Sequence, residues 1–387
     1  MNRVRVGIVG FGGFGQFLRR SWDRLPTVQV VAVADESPAV NAEGLSLYRD
    51  WRALMQDPGV DLVAVATPPA SHAEIACAAL EAGKHVLVEK PLATTREDAL
   101  RIIDASKRSG RVATVDYMLR FDPIVELLHR WARTGPFGRL RRVLVENHAQ
   151  DETLPRQHWF WDRSLSGGIL VEHSVHFIDL VSGCTDAAPA SVDGFAVNRD
   201  DGRTDRMGMT VLFGDGLVMT QYHAFARPGF FETTSMRFTF DLADVEVEGW
   251  IPLSGRIRAL VSARTEDEVR SLPGLEILRR EDVSGVEDES RPAGWGASPT
   301  DSSNAGPEPP ASTRLIRSGG EEYDVSHLVE AQFALPDDKS TVYANCLRSL
   351  MSDVVSAIHD PDHALRVTLD HGLASLDVAL RATRTDA

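Results

Sequence analysis

The sequence predicts an α/β unit with a doubly wound parallel sheet, followed by an α+β unit with a large, mostly antiparallel and open sheet. From residue 4 to residue 117, apolar strand-like runs alternate with helical segments, an order typical of βαβ units. After about residue 190, short strand-like runs follow one another with turn residues between them, as in antiparallel sheets. A chain of 387 residues is long enough for two domains, which we expect at 1–121 and 122–387.

The first strand, at 4–9, leads into a glycine turn, a helix at 16–25, a strand at 28–34 and an acid. Gly10 allows a tight turn, Gly12 lets a pyrophosphate approach the backbone, and Gly15 lets the helix pack against the sheet. The helix N-terminus offers unpaired N–H groups to phosphates. This order predicts a Rossmann dinucleotide-binding domain. The residues that we expect to bind the cofactor here are Gly10, Phe11, Gly12, Gly13, Phe14, Gly15 and Asp35.

The acid at the end of the second strand favours NAD over NADP. Asp35 follows Gly15 by 20 residues, where a carboxylate accepts hydrogen bonds from ribose hydroxyls. Asp35 would repel a 2′-phosphate, and Glu36 adds a second negative charge. NADP is the less favoured alternative, since a nearby arginine could accommodate its phosphate.

The rest of the first unit continues the alternation. After a short helical stretch within 39–60, we expect strands at 61–66, 85–88 and 111–117 and helices at 73–82 and 95–109. Ligands bind beyond the carboxyl ends of parallel strands. Thr67 and the segment Glu89–Lys90–Pro91 directly follow two of those ends.

The second unit begins with a helix and a strand, then a polar, aromatic-rich loop and a further helix. We expect these elements at 123–134, 139–148, 150–166 and 169–183, strands at 190–198, 206–213, 217–226, 233–241, 244–250, 255–263 and 274–280, and helices at 341–359 and 369–382. An open sheet needs a cover, so we expect a homodimer or homotetramer formed through it. Residues 281–312, rich in Ser, Pro, Gly, Asp and Glu, predict a flexible surface insertion.

Two groups of residues could carry chemistry. Lys90 follows a parallel strand, where its ammonium could hydrogen-bond an alcohol or carbonyl oxygen; the alternative is a surface charge. The Lys90–Pro91 bond is a candidate for the cis form. Glu172 and His176 are four residues apart on one helical face, so that the carboxylate could orient a proton-carrying imidazole. The alternative for this helix is a polar core.

Neighbouring residues leave more than one interpretation open. His173 on the same helix is structural or lines the substrate site. Trp161 and Asp162, with Trp159, could stack on a sugar and accept its hydroxyl groups, or cap the domain interface. The His–Glu spacing also occurs in metal sites, but a third ligand is not evident, so we expect no metal.

These motifs resemble those of the glucose–fructose oxidoreductase, inositol dehydrogenase and rhizopine-catabolism (Gfo/Idh/MocA) family over nearly the whole chain. The resemblance implies that Lys90 and His176 flank the substrate and that Arg120 lies near the nicotinamide or the substrate. It also implies the two-domain architecture and oligomerisation through the open sheet. One departure is Glu172, where the family often has Asp. The resemblance further implies that the cofactor is lined by Thr67, Pro68, His72 and Glu89.

Composition excludes several partners. The net charge of −15 argues against nucleic acid and anionic membrane surfaces.

Three widely separated cysteines, Cys77, Cys184 and Cys346, favour a reducing, cytoplasmic setting. The first strand begins too close to residue 1 for a signal peptide.

The leading hypothesis is reversible hydride transfer between NAD(H) and a secondary alcohol or ketone of a sugar, polyol or similar small molecule. His176 would accept the hydroxyl proton, Glu172 would orient His176, and Lys90 would polarise the oxygen. One alternative is elimination on a glycoside assisted by tightly held NAD. Another is a cofactor-sensing regulator without catalysis.

Overall fold

The computed structural model describes residues 3–284 and 313–383, and its first sheet has six strands. They run parallel in the order β3-β2-β1-β4-β5-β6, which confirms the predicted α/β architecture. The strands are β1 (Val4–Val9), β2 (Val28–Ala34), β3 (Ser46–Tyr48), β4 (Leu62–Val65), β5 (His85–Val88) and β6 (Ala113–Val115).

Helices alternate with these strands and bury them on both faces. The four residues of β4 are all buried, as expected for a central parallel strand. The last of these helices shows why its ends fall where they do: the Thr95 hydroxyl accepts from the Asp98 amide, and Gly110 ends the helix in the left-handed conformation. The helices are α1 (Gly13–Trp22), α2 (Trp51–Met55), α3 (His72–Glu81) and α4 (Arg96–Ser109).

Eleven further strands follow in the described residues, and nine of them form the second sheet. Its order is β14-β17-β13-β12-β11-β7-β10-β9-β8. All neighbours are antiparallel except β7 and β10, and β15 pairs with β16 alone. The strands are β7 (Leu140–Gln150), β8 (Pro189–Asn198), β9 (Thr204–Phe213), β10 (Val218–Arg227), β11 (Thr233–Phe240), β12 (Ala243–Glu248), β13 (Ser254–Val261), β14 (Glu276–Asp282), β15 (Arg314–Ser318), β16 (Glu321–Val325) and β17 (His327–Ala334).

One face of the second sheet is buried and the other is open. Along β12, buried and exposed residues alternate strictly, the pattern of a sheet with one solvent face. The predicted mostly antiparallel open sheet is therefore confirmed. The remaining helices are α5 (Pro123–Thr134), α6 (Arg163–Ser166), α7 (Val175–Ser182), α8 (Ala263–Arg270), α9 (Lys339–His359) and α10 (Leu369–Thr383).

The last two helices return to the first sheet. Helix α9 packs against α1, and the Trp22 indole N–H donates to the Leu347 carbonyl at 3.3 Å. Helix α10 packs against α4 and β6 as well as against β8. The C-terminal segment therefore contacts both sheets, and the boundary between residues 121 and 122 stays a prediction.

Several local predictions need correction. The predicted helix at 169–183 opens with a π-helical turn, Leu170–Ser174, before α7. Strands β3 and β15–β17 and helix α8 were missed, because they are short or follow the low-complexity segment. Of the predicted insertion at 281–312, Glu281 and Asp282 belong to β14, and residues 285–312 lie outside the described residues. The Lys90–Pro91 bond is cis, as the sequence suggested.

The N-cap of α5 gives the first testable prediction. The Asp122 carboxyl accepts from the Ile124 and Val125 amides at 2.9 and 3.2 Å, and its burial raises its pKa to about 7. The folded chain therefore binds this proton more tightly than the unfolded chain. The stabilisation of the folded chain by this bound proton is fully present below about pH 4 and is lost as the pH rises through about 7.

Asp122→Asn keeps a capping oxygen but cannot ionise. We expect the difference in free energy of unfolding, variant minus wild type, to increase by about 1–3 kcal/mol from pH 5 to pH 8. Urea unfolding followed by tryptophan fluorescence measures this difference. Asp338→Asn, at the exposed N-cap of α9, is the control and should show no such trend. If the free energy of unfolding of Asp122→Asn differed from that of the wild type by the same amount at every pH, the raised pKa of Asp122 would be contradicted.

Candidate active site

A cleft of about 960 Å³ lies beyond the carboxyl ends of β1, β2, β4 and β5, between the two sheets. From the first unit it is lined by the glycine turn, Asp35, Thr67, Pro68, Glu89 and Lys90. From the second unit it is lined by Trp159, Glu172, His173, His176, Trp250 and Tyr343. The structure thus brings most of the predicted site residues to one place.

The glycine turn is closely packed on one side and open on the other. Gly10 has φ +90°, and a Cβ there would lie 2.4 Å from the Ala66 carbonyl oxygen. A Cβ at Gly15 would lie 2.1 Å from the Gly10 carbonyl oxygen. At Gly12 and Gly13, by contrast, it would meet no atom of the described chain within 4 Å. These two glycines leave room for a phosphate against the backbone.

The first turn of α1 faces that room without a side-chain cap, as a helix that binds phosphate should. The Asp35 carboxylate accepts from the Phe11 amide at 2.7 Å and from the Ser37 amide at 2.9 Å, so it also fixes the turn. The Phe11 side chain is buried in the core, while Phe14 lines the cleft. These residues fit a dinucleotide, with the pyrophosphate over Gly12 and Gly13 and a ribose at Asp35.

The Asp35 end of the cleft contains residues that the sequence did not reveal. The Arg49 guanidinium donates to the backbone carbonyls of Asp35, Ser37 and Val40. The Arg52 guanidinium lies 4.3 Å from the Trp51 ring centre. All three side chains, Arg49, Trp51 and Arg52, line the cleft. They come from β3 and α2, where no motif marked them.

His72 lies behind the cleft lining and not in it. Its ring nitrogens lie 2.8 Å from the Pro91 carbonyl oxygen and 2.9 Å from the Thr67 carbonyl oxygen. Burial lowers the pKa of this histidine, and a neutral imidazole donates to only one of two such acceptors. His72 therefore joins the loop that carries Thr67 to the loop that carries Lys90.

Lys90 and Glu172 form an ion pair across the cleft. The Lys90 ammonium donates to the Glu172 carboxylate at 2.6 Å and to the Glu172 backbone carbonyl at 2.8 Å. The two side chains are only 15% and 13% exposed. Helical spacing had suggested that Glu172 orients His176. The carboxylate pairs with Lys90 instead, because the end of β5 brings the ammonium directly against this helical turn.

The π-helical turn presents Glu172 and His173 to the cleft, and the first turn of α7 adds His176. Such turns are frequent at functional sites. Burial, together with the nearby Lys90 charge, lowers the pKa of His173 to about 3 and that of His176 well below its usual value. Both imidazoles are therefore neutral near pH 7. His173 lines the cleft, and its contact with a substrate stays a prediction.

His176 is well placed to accept a proton. The residue is 7% exposed, and its Nδ1 is enclosed without a hydrogen-bond partner in the described chain. Its ring packs between Tyr117 and Trp250, with ring centres 6.3 and 6.2 Å away. These aromatic neighbours fix the imidazole without supplying charge.

Besides Phe11 and His72, three further predicted site residues lie outside the cleft lining. Arg120 makes a bidentate ion pair with Asp179, with both distances 2.8 Å, and both side chains are largely buried. The Trp161 indole N–H donates to the Leu154 carbonyl at 3.0 Å. Asp162 caps α6 by accepting from the Ser164 amide at 2.9 Å. Their proposed contacts with cofactor or substrate stay predictions.

Two aromatic residues that the sequence did not mark complete the cleft. Trp250 follows β12 and Tyr343 lies in the first turns of α9, and their rings meet edge to face at 5.1 Å. The Lys339 ammonium lies 5.3 Å from the Trp250 ring centre. Trp159, from the predicted aromatic loop, lines the cleft as well. This end of the cleft combines aromatic faces with neutral histidines.

Two family models match the chain. One, described as an oxidoreductase family with an NAD-binding Rossmann fold, covers residues 4–117. The other, described as the GFO/IDH/MocA C-terminal domain, covers residues 125–240. The chain belongs to the Gfo/Idh/MocA family. The predicted family, fold, oxidoreductase class and NAD-type cofactor are confirmed by these matches.

Curated Gfo/Idh/MocA relatives act on sugars and polyols, as their names state. Levoglucosan dehydrogenase of Pseudarthrobacter phenanthrenivorans is 32% identical over 198 residues, which cover 46% of this chain and 50% of that protein. The scyllo-inositol 2-dehydrogenase (NAD(+)) of Bacillus subtilis is 28% identical over 200 residues, which cover 50% and 57%. The chain spans about half the length of the curated relatives that it matches.

Solved structures of this fold extend the likeness to nearly the whole chain. A levoglucosan dehydrogenase in complex with NADH and L-sorbose has a TM-score of 0.70 at 18% identity and covers 99% of this chain and 97% of that one. Aldose-aldose oxidoreductase from Caulobacter crescentus has a TM-score of 0.68 at 19% identity, with 99% and 98% covered. At these identities the likeness shows the fold.

Among the residues that the structure describes, no three His, Cys, Asp or Glu side chains are grouped as metal ligands. None of the helices within 3–284 and 313–383 has the length and apolar character that crossing a bilayer requires.

The room at Gly12 gives a prediction. Gly12→Ala should fold like the wild type, because the new Cβ meets no protein atom. It would occupy the space of the pyrophosphate, so we expect the dissociation constant of NADH to rise about tenfold or more, the loss of about 1.4 kcal/mol of binding. NADH fluorescence titration measures the affinity, and thermal unfolding checks the fold.

Gly214→Ala is the matched control, since its Cβ would make only ordinary contacts, at 3.6 Å or more, far from the cleft. It should leave NADH affinity unchanged. Equal affinities for Gly12→Ala and the wild type would show that the phosphates lie elsewhere.

Proposed function

We propose that the protein is an NAD(H)-dependent oxidoreductase that interconverts a secondary alcohol and a ketone on a sugar, polyol or similar small molecule. The observation that carries this proposal is one cleft with a phosphate-fitting glycine turn at one end and Lys90, Glu172 and His176 at the other. An oxidoreductase needs both a cofactor site and a group that moves the substrate proton.

The roles of the side chains follow from their charge states. Bound NAD would supply the hydride chemistry. Lys90, held by Glu172, keeps its ammonium directed at the substrate oxygen and stabilises negative charge there. His176 is neutral and uncommitted, so it accepts the hydroxyl proton in the oxidative direction and returns it in the reductive one. Glu172 serves as the partner of Lys90, a change from the role that the sequence suggested.

The walls of the cleft support a polyhydroxylated substrate. Trp159, Trp250 and Tyr343 offer ring faces or edges to the apolar side of a sugar, and His173 offers a neutral polar edge. The buried His173 Nε2 has no hydrogen-bond partner in the described chain, so a substrate hydroxyl would satisfy it. The names of the curated relatives, levoglucosan and inositol dehydrogenases, point to the same class.

The cofactor preference that we propose is NAD, with NADP less favoured. Asp35 and Glu36 line the ribose end of the cleft and would repel a 2′-phosphate. Arg49 contacts this loop, but its N–H groups are donated to three backbone carbonyls. A 2′-phosphate would have to compete with these contacts.

We further propose a cytoplasmic protein, with a dinucleotide-binding domain at 1–121 and a substrate and oligomerisation domain at 122–387. The three cysteines are free and buried, which supports a reducing compartment. The excess of acidic side chains, 56 against 41 basic ones, supports a small-molecule partner over nucleic acid or a membrane surface.

A second copy of the chain is the cover that we propose for the open sheet, as a homodimer or homotetramer. On its outer face, Phe195 and Tyr222 flank Gly208, which pairs with both in register. Phe195 is 52% exposed, and Val197 and Leu212 are exposed beside it. An apolar strip of this kind on a soluble protein marks an interaction surface.

Catalysis is tested on a panel of polyols, aldoses and ketosugars, with absorbance at the nicotinamide band and with NAD and NADP in parallel. On the best substrate we expect Lys90→Met and His176→Gln each to lower kcat by about 10²- to 10⁴-fold. NADH affinity should stay within about threefold, which is less than 1 kcal/mol. The exposed Lys107→Met is the control and should keep full activity.

Full turnover by Lys90→Met would remove Lys90 from the mechanism. Consumption of a glycoside without net NADH formation would favour the elimination reaction instead. NADH binding without turnover of any tested substrate would favour a sensing role.

The oligomer is tested by sedimentation velocity. Phe195→Asp places a charge in the apolar strip, and we expect it to lower the oligomeric state, because burying an unpaired charge is unfavourable by several kcal/mol. Leu315→Asp, at an exposed site on the β15–β16 hairpin, is the control. A wild-type monomer, or a Phe195→Asp variant that associates like the wild type, would contradict the proposed interface.

A further inference from the structure

Two acidic residues at the floor of the cleft are not explained by the roles proposed so far. Glu89 follows β5 and Asp116 follows β6, and these strands are parallel neighbours with Val88 in register with Val115. The Asp116 amide donates to the Val88 carbonyl at 2.8 Å. Both residues therefore leave the same edge of the sheet side by side, and each carboxyl shifts the pKa of the other.

Among the residues that the structure describes, neither carboxyl has a cation as a direct partner. Asp116 is 2% exposed, and neither of its oxygens accepts from an N–H or O–H group of the described chain. The Met118 amide is nearby but outside hydrogen-bond geometry. Glu89 accepts only the Lys90 backbone amide, at 3.2 Å, because the Lys90 ammonium is bound to Glu172.

Two ionised carboxylates placed side by side would repel each other, and burial adds to the penalty. A proton held between them removes the repulsion and supplies the missing hydrogen bond. Burial and the Asp116 charge raise the pKa of Glu89 well above its usual value. Burial also raises the pKa of Asp116, although the hydrogen bond from Glu89 opposes this shift. Glu89 is therefore the member that carries the proton.

We propose that Glu89 and Asp116 share one proton and act as a carboxyl pair with a single negative charge on the cleft floor. Asp116 is a positioning residue, which keeps Glu89 in its acid form beside Lys90. The ionisable groups that act on the pair are Lys90, which follows Glu89 in sequence, and Tyr343 and Cys346 on α9. The proton sharing rests on the strand register and on the buried Asp116 oxygens that have no partner in the described chain, and its effect on cofactor binding rests on the proposed function.

A fixed negative charge here would distinguish the two oxidation states of the cofactor. The nicotinamide ring is cationic in NAD⁺ and neutral in NADH, and in the proposed function it lies at this end of the cleft. One unit charge a few ångströms away changes the relative affinity of the two forms measurably, since Coulomb energies at an effective dielectric constant of about 20 reach a few kcal/mol. The pair would thus favour NAD⁺ relative to NADH.

Infrared difference spectroscopy on the full-length protein without added nucleotide tests the shared proton. At pH 7 we expect the wild type to show a carbonyl stretch of a protonated carboxylic acid that both Asp116→Asn and Glu89→Gln lose. Each amide can donate to the remaining carboxylate, which then ionises. Asp122→Asn, at another buried acid, should retain this band. Circular dichroism confirms that each variant is folded.

A spectrum of folded Asp116→Asn that equals the wild type in the carboxylic-acid region would overturn the proposal. So would retention of the band in folded Glu89→Gln if the Asp116→Asn variant does not fold. These outcomes do not depend on turnover, so they are distinct from a failure of the proposed function.

Nucleotide titrations test the consequence for the cofactor. The double variant Glu89→Gln/Asp116→Asn removes the charge, and we expect its NAD⁺ affinity to fall about tenfold relative to its NADH affinity, a change of about 1.4 kcal/mol. Each single variant keeps one carboxylate and should change the ratio much less. An unchanged ratio in the double variant would contradict the electrostatic role, because a purely structural loss would weaken both forms alike.

Discussion

The ion pair between Lys90 and Glu172 is the contact on which the arrangement of the site depends. It joins the end of β5 in the first sheet to the π-helical turn that carries His173 and leads into α7 with His176. The pair is largely buried, and removing one member of such a pair leaves an unpaired charge that is unfavourable by about 3–5 kcal/mol. The ion pair therefore fixes the distance between the end of β5 and the π-helical turn, which form opposite walls of the cleft.

The surroundings of this pair keep the neighbouring histidines neutral. Burial lowers the pKa of His72, His173 and His176, and the Lys90 charge adds to the shift in each case. The histidines thus stay neutral and able to accept protons. The site separates a charge-stabilising group from a proton-accepting group by environment, a general way to obtain acid and base at neutral pH.

The parts of the site that depend on local patterns could be predicted from the sequence. The glycine turn, Asp35 and Lys90 follow from strand ends and short spacings, and His176 from its helical position. Trp250 and Tyr343 could not be predicted, because a turn after β12 and the start of α9 reach the cleft only through the packing of distant segments. The strands of the second sheet were predictable from their alternation, but β15–β17 lie beyond a segment without periodicity.

The ion-pair partners of the charged residues could not be predicted from the sequence either. Arg120 was expected near the nicotinamide or the substrate, and its buried ion pair with Asp179 was not foreseen. Glu172 was expected to orient His176, yet the Lys90 ammonium is closer. Spacing along a helix predicts on which face of the helix a side chain lies. It does not predict which residue of another element contacts that face.

The use of glutamate at position 172 has a geometric consequence for Lys90. An ammonium has three N–H donors. The Glu172 carboxylate takes one and the Glu172 backbone carbonyl takes another, so one residue fixes two of the three. Because both acceptors belong to the same helical turn, the direction of the third N–H is set by the backbone and not by a flexible side chain alone. A substrate oxygen in the cleft would then meet a donor that is already oriented, which is the condition for electrostatic stabilisation without reorganisation.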